Sequence, residues 1–439
     1  MRCVVNPPPQ SLLNLKAHDH KLTLLPRLVS FTCNACGLKG DRSPYVCIQC
    51  DFMVHQDCLG FPRLININRH DHRILRTSLL GLVNSVCGVC HKKVDWTCGG
   101  FSCQKCPDYV VHSKCATRND VWNGKELEGV PEETEDTEPY VIIDANTIQH
   151  FSHKEHNLRF NGGDILTKEN KWCSACTQPI YPKSFYGCME CHFVLHEKCA
   201  KLLKKTRHVL HNERLSLVTS GVDDYFCCNG CDIISNGFRY QGERMNLDVR
   251  CVSISGHLTI QASHPQHLLY FISRDGTGIC NCCNNSTSKM LKCIEDKCVF
   301  VLDFKCATLP QEVKHRVDDH PLTLCYGEKA DGKYWCDICE KETNPKTWFY
   351  TSQDHRASLH IECVLGDLTG FMPGSTIEYS AYSYEMVLNN SMSRPRCIWC
   401  KSHCMCPIIL KMLNGTLDAC LCSYDCLARS PLGTWYTGE

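Results

Sequence analysis

The sequence predicts a tandem array of small α+β modules, each closed around metal rather than around one large apolar core, and three observations carry that expectation. The chain of 439 residues holds 38 Cys and 22 His, so nearly one residue in seven is a potential metal ligand. Those residues recur at fixed spacing: a His pair, an apolar run, C-x2-C, an aromatic residue, a second C-x2-C and then H-x2-C, six times with decay. The repeat is about 50 to 60 residues, shorter than the roughly 100–150 of an ordinary domain.

The first module, expected over 14–62, is complete: His18 and His20 open it, the run KLTLLPRLV follows, then Cys33 and Cys36, Tyr45, Cys47 and Cys50, and finally His55 and Cys58. The second, over 66–120, has His70 and His72, Cys87 and Cys90, Phe101, Cys103 and Cys106, then His112 and Cys115 with one extra residue before the last histidine. The acidic text ELEGVPEETEDTEP follows, with no aromatic residue to bury, and reads as a solvated linker and main hinge over 121–145.

The third module, over 149–203, is complete again, with His153 and His156, Cys173 and Cys176, Tyr186, Cys188 and Cys191, then His196 and Cys199. The fourth, over 205–254, keeps His208, His211, Cys228 and Cys231, lacks a second C-x2-C after Tyr240, and ends on Asp248 and Cys251. The fifth, over 261–310, has His264 and His267, Cys280 and Cys283, a widened pair Cys293 and Cys298, then Asp303 and Cys306. The sixth, over 314–366, has His315 and His320, Cys336 and Cys339, then Ser352 and His355 where two cysteines are expected, and His360 with Cys363. In a tail over 390–430, Cys397, Cys400 and Cys404 precede Cys420, Cys422 and Cys426; Cys397, Cys400, Cys422 and Cys426 are the candidates for one further site.

Cysteines separated by two residues turn both thiolates toward one ion, at Zn–S distances near about 2.3 Å. In HEKCAKLLKK, His196 and Cys199 are expected three apart on a short helix, sharing a face. Modules this small bury too little apolar surface to fold securely alone, so each structural zinc is expected to supply on the order of 10 kcal/mol of folding free energy. The opening text MRCVVNPPPQ is too short in apolar residues for a secretory signal, and no run of about 18 apolar residues suggests a membrane span. A reducing compartment, cytoplasmic and/or nuclear, is therefore expected, where such cysteines bind metal rather than pair as disulfides.

The blocks YVCIQCDFMVHQDC, FYGCMECHFVLHEKC and SLHIECVLGD resemble the plant DC1 (divergent C1) family, relatives of the C1 zinc finger, and the resemblance covers nearly the whole chain. It implies small zinc-stabilised α+β modules, C1-like zinc fingers of short β-hairpins plus a short helix, with two interleaved zinc sites each. An outer site takes the first C-x2-C with H-x2-C, which in the first module means Cys33, Cys36, His55 and Cys58. The inner site takes Cys47 and Cys50; C1 domains add a late cysteine that this repeat lacks, so His18 and His20 are both expected to serve, with a neighbouring module's histidine as rival donor. By the same assignment the outer site survives in all six modules. Asp248 and Asp303 stand there either as oxygen ligands or as helix caps. The inner site is absent from the fourth module and damaged in the sixth, and intact sets sum to roughly nine to eleven zinc ions.

Cys3, Cys98, Cys227, Cys282 and Cys325 fit no set and read as ordinary buried or free thiols. Tyr45, Phe101, Tyr186, Phe238 and Trp348 read as core, and Lys201, Lys204, Lys205 and Arg207 as a solvated helix face.

With 47 basic and 47 acidic side chains the chain has no global field toward nucleic acid or anionic lipid. Closed four-ligand zinc has no coordination position for substrate, so the expected role is a non-enzymatic protein-interaction scaffold in signalling or developmental regulation. One alternative is a thiol–disulfide redox protein, for which no βαβ pattern places a C-x2-C at a helix start. Another is a C1-type diacylglycerol sensor; those carry Gln-Gly before their second C-x2-C, where this chain reads SPYVC, GFSC and SFYGC. A RING- or PHD-like cross-brace fits the repeat less well, and nucleic-acid binding needs a basic face with exposed aromatics.

Overall fold

The structure is a computed structural model that describes residues 8–13, 18–80, 85–132, 137–162, 171–180, 184–219, 224–254, 257–258, 263–272, 276–326, 333–344, 346–353, 356–380, 382–389, 395–414 and 419–430. The chain divides into two compact units, residues 1–135 with 206–215 and residues 136–205 with 216–439.

The first unit contains two copies of one architecture. Ser11–Leu12, Leu22–Leu24, Tyr45–Cys47 and Phe52–Val54 form a four-stranded antiparallel sheet in chain order, and Phe31–Thr32 pairs with Lys39–Gly40 as a separate small hairpin. In the second copy Leu64–Ile65, Ile74–Thr77, Gly100–Cys103 and Val110–His112 repeat the sheet, and a bridge between Val86 and Lys93 stands where the small hairpin stood. One helical turn closes each module, Gln56–Cys58 and Ser113–Ala116. The strands alternate as a one-sided sheet must: Tyr45 and Cys47 point inward to join Leu22 and Val54, while Val46 is only partly buried. Ile65, Ile74, Phe101 and Val110 make the second core.

The described part of the acidic stretch lies along the second module instead of standing free as a hinge. Leu127 N–H donates to Leu64 O, Glu126 accepts from the Arg63 N–H, Glu128 pairs with the Arg63 guanidinium and Glu132 with Lys105. Basic side chains of the module thus hold carboxylates that the sequence alone leaves solvated; residues 133–136 lie outside the described residues.

The architecture repeats five more times, with residues 206–215 of the fourth copy counted in the first unit. Module three has a five-stranded sheet, Tyr140–Asp144, Thr147–His150, His153–Asn161, Phe185–Cys188 and Val194–His196, whose first strand comes from text read as linker. In module four His211–Val218 pairs with Arg239–Gly242 and that with Met245–Asp248. Module five uses His257–Leu258, Leu269–Ile272, Met290–Cys293 and Val301–Asp303; module six uses Glu312–Val313, Leu322–Cys325, Phe349–Thr351 and Ser358–His360. Single helical turns follow at Glu197–Ala200, Val249–Val252, Phe304–Ala307 and Ile361–Leu365. The turn after His196 ends at Ala200, so the basic run is not a helix face: Lys205 and Arg207 lie on the strand Lys205–His208.

The tail is a seventh copy. Thr376–Tyr379, Tyr382–Leu388, Ile408–Met412 and Cys420–Leu421 form the four-stranded sheet, the helix Tyr424–Arg429 closes it, and Ile377, Tyr384, Met386, Leu410 and Leu427 fill its core. It has no opening His pair and no inner C-x2-C, which is why the repeat does not announce it.

Two features recur across modules. Tyr45, Tyr240 and Tyr350 are buried and donate their hydroxyls to the carbonyls of Pro9, Leu203 and Pro310, which satisfies the one polar atom of each ring. Modules also dock in pairs through one edge. Gly99 N–H donates to Asn34 O at 2.6 Å, Phe238 N–H to Ala175 O at 2.9 Å and Trp348 N–H to Cys282 O at 3.1 Å. Each donor immediately precedes the third strand of an even-numbered module, and each acceptor lies inside the first C-x2-C of the module before it.

Candidate metal centres

The first C-x2-C folds into the same turn in all seven modules. The residue after it, in order Gly37, His91, Thr177, Asp232, Asn284, Glu340 and Lys401, has a positive φ between 55° and 73°. Its N–H donates back to the carbonyl of the first cysteine, at 2.8 Å from Gly37 to Cys33 and at 3.0 Å from Lys401 to Cys397. Only one of the seven is glycine, so six modules carry left-handed backbone at a cost of roughly 1–2 kcal/mol each, and the gain is a pair of thiols held toward one point.

At that point the outer set converges. Cys33, Cys36, His55 and Cys58 bring one donor atom each within 4.8 Å of all the others, as do Cys87, Cys90, His112 and Cys115. Nδ1 of His55 lies 3.5 Å from Cys36 Sγ and 3.8 Å from Cys58 Sγ; Nδ1 of His196 lies 3.3 Å from Cys176 and 4.0 Å from Cys199; Nδ1 of His360 lies 3.3 Å from Cys339 and 4.0 Å from Cys363. Cys173 accepts the His196 N–H at 3.4 Å, and Cys336 sits against Cys363. The other ring nitrogen of His112 and of His196 faces a carbonyl, of Lys93 at 3.2 Å and Pro179 at 3.3 Å. A proton held there leaves the Nδ1 lone pair for metal.

His196 does not share a helix with Cys199, as the spacing suggested; it is the last residue of the strand Val194–His196 and the N-cap of the helical turn. Strand end and helix start deliver the two ligands from different directions.

Asp takes the histidine's place in modules four and five. Oδ2 of Asp248 lies 3.2 Å from Cys231 Sγ and Oδ2 of Asp303 lies 3.3 Å from Cys283 Sγ. The other oxygen of each caps the helix, accepting from Cys251 N at 2.7 Å and Cys306 N at 2.6 Å. Cys228 and Cys280 contact Cys251 and Cys306 to close the sets. The two readings, ligand and cap, are therefore compatible in one carboxylate.

The inner sets bring the opening histidines of their own module to the second cysteine pair: His18, His20, Cys47 and Cys50; His70, His72, Cys103 and Cys106; His153, His156, Cys188 and Cys191. Cys50 Sγ lies 2.8 Å from His20 Nδ1 and 3.3 Å from His18 Nε2. In module five Cys293 Sγ is 3.6 Å from His267 Nδ1 and Cys298 Sγ is 3.6 Å from His264 Nε2. The first histidine thus presents Nε2 and the second Nδ1. The first histidine of each pair also stacks on an aromatic ring, which the sequence reading missed: His18 lies flat on Phe52 at 4.4 Å, His70 on Tyr109 at 3.9 Å, His153 on Phe193 at 4.6 Å and His264 on Phe300 at 4.6 Å. The sequence signal of that stacking is an aromatic two or three residues past the inner pair.

Module four has no inner set; Arg239–Gly242 turns directly into Met245–Asp248. In module six Ser352 is buried and accepts from Ala357 N at 3.0 Å, His315 Nδ1 accepts from Val317 N at 3.3 Å, and the His320 side chain is 85% exposed. His355 lies outside the described residues.

In the tail Cys422 Sγ is 3.7 Å from Cys400 Sγ and 3.5 Å from Cys426 Sγ. A parallel bridge joins Cys397 to Cys420 as one joins Cys87 to Val110, so Cys422, two residues on, holds the place that His112 holds in module two. Cys404 is fully buried and also bonds Cys422, a fifth thiol that the sequence reading left out.

These sets suit zinc. Five are named above with their full membership, and six further groups of three or more donors occur among the described residues. None of the described cysteines is in a disulfide. His70 Nε2 and His156 Nδ1 are buried without a hydrogen-bond partner, and they are the atoms that face the inner sets if the first histidine presents Nε2 and the second Nδ1 as in modules one and five. Hydrogen bonds from its neighbours, Cys363 foremost, pull the Cys336 thiol down to about 4, and burial pushes the carboxyls of Asp248 and Asp303 up. A bound dication suits the Cys336 thiolate and offsets the burial cost of the two carboxylates.

A family model described as a C1 domain matches residues 16–59, 68–116, 151–200 and 315–364, and one described as C1 domain-like, C-terminal, matches 384–427. Together they span more than half of the chain. No curated protein and no solved structure matches it significantly.

Proposed function

Because the chain belongs to the DC1 family of C1-like, cysteine- and histidine-rich zinc proteins, we propose that it is a non-enzymatic scaffold whose rigid modules present binding surfaces to protein partners in signalling or developmental regulation. The observation that carries this reading is closure: four donors within 4.8 Å of one another occupy a tetrahedral ion completely and leave it no position for water or substrate. The ligand sets proposed are the six outer sets, the inner sets of modules one, two, three and five, and Cys397, Cys400, Cys422 and Cys426 of the tail. Among the described residues no helix is long and apolar enough to cross a membrane. Work in the cytoplasm and/or nucleus is the setting proposed.

The test is affinity capture with the zinc-loaded full chain, repeated after chelation and again after zinc is restored. A scaffold captures a reproducible partner set that disappears with the metal and returns with it. The rival reading, thiol–disulfide exchange, predicts that the zinc-loaded chain reduces insulin catalytically; such turnover would replace the scaffold reading.

A further inference from the structure

Modules five and six enclose a cleft of about 470 Å3 whose wall includes Ile279, Asn281, Lys292, Val299, Asn344 and Lys346. Two of its side-chain amides have their oxygens engaged. Oδ1 of Asn281 accepts from Val301 N at 2.7 Å, and Oδ1 of Asn344 accepts from Lys346 N at 3.0 Å, which frees both amide NH2 groups. Among the described residues neither the Lys292 nor the Lys346 ammonium has an ion-pair partner, and no carboxylate lines the cleft. The two ammoniums stand beside Cys280, a thiol of the module-five outer set that also lines the cleft.

Two ammoniums match the charge of about −1.5 to −2 on a phosphoryl group, and two amide donors add directed hydrogen bonds to its oxygens. No aromatic ring lines the cleft, so a nucleotide base has nothing to stack on. The flanking apolar surface is small, Ile279 at 58% and Val299 at 81% exposure, enough for one or two aliphatic side chains rather than an acyl chain. We propose that this cleft binds a phosphorylated peptide segment of a protein partner, with Lys292, Lys346, Asn281 and Asn344 on the phosphoryl oxygens and neighbouring peptide side chains on Ile279 and Val299. The assignment rests on the interaction reading and gives one surface its partner chemistry.

Fluorescence anisotropy on the zinc-loaded full chain tests it, using a fluorescein-labelled phosphoserine peptide with isoleucine on either side, its unphosphorylated twin, inorganic phosphate as competitor, and vesicles bearing phosphorylated inositol headgroups. The phosphopeptide should bind at least tenfold more tightly than its twin. The double variant Lys292→Gln, Lys346→Gln should lose at least tenfold with its zinc content unchanged, and Lys154→Gln, on a module-three strand, should lose nothing. Unchanged binding by the double variant overturns the site. Competition by inorganic phosphate as strong as by unlabelled phosphopeptide, or preference for the vesicles, overturns the peptide as its source. If the phosphopeptide fails to bind while metal-dependent capture of partners persists, the cleft assignment falls alone; if capture fails while the phosphopeptide binds, the scaffold reading falls instead.

Discussion

Single side chains here carry two duties at once. Asp303 caps a helical turn with one oxygen and faces Cys283 with the other, so its two roles separate under substitution. Asp303→Asn keeps a competent cap but loses the anionic donor, and should weaken zinc binding at that site; Asp303→Ala should do the same and also cost about 1 kcal/mol of stability. Zinc competition with a chromophoric chelator, alongside chemical unfolding, reads both. The stacked histidines make a second case. Phe52→Leu keeps the apolar volume beneath His18 but not the flat ring, and should lower inner-site affinity in module one by about tenfold while Cys33, Cys36, His55 and Cys58 hold their metal. At this scale the spacing of cysteines and histidines was legible, because ligand chemistry tolerates so few residue types. The stacking of the first ring was not, since it depends on Phe52, Tyr109, Phe193 and Phe300, whose aromatic character has many other uses.

At the scale of elements, the repeated unit is the module pair rather than the module. The backbone bonds from Gly99, Phe238 and Trp348 into the preceding C-x2-C tie an even-numbered module to the turn that shapes its neighbour's metal set. Gly237 is there because a Cβ at that position would stand 2.4 Å from Ala175 O, a backbone atom with nowhere to go. Gly237→Ala should therefore destabilise the chain by about 1–3 kcal/mol, whereas Gly60→Ala, with nothing within 4 Å of the new methyl, should be nearly neutral; differential scanning calorimetry of the two zinc-loaded variants checks the contrast. None of this is readable in a one-dimensional spacing. The strand Tyr140–Asp144 was hidden for the same kind of reason: it follows a charge-rich stretch, and composition averaged over a window gives the charge more weight than the short apolar run VII.

For the whole molecule, the repeat and its chemistry were visible from the first reading because the period is long and its markers are rare residues. The seventh module was not, because it retains only the outer set and replaces its histidine by Cys422. What identifies it is backbone: the positive φ at Lys401, its bond to Cys397 O and the bridge from Cys397 to Cys420 repeat the turn of the other six. Metal is then the common element that turns short sheets with small cores into rigid units. The measurement closest to that claim is zinc per chain by plasma mass spectrometry on protein made in zinc-supplemented medium, with free thiols titrated under native conditions. The account predicts about eleven zinc ions, few reactive thiols, and loss of fold when a chelator removes the metal. Fewer than about four zinc ions in a folded chain, with many reactive thiols or disulfides, would contradict it.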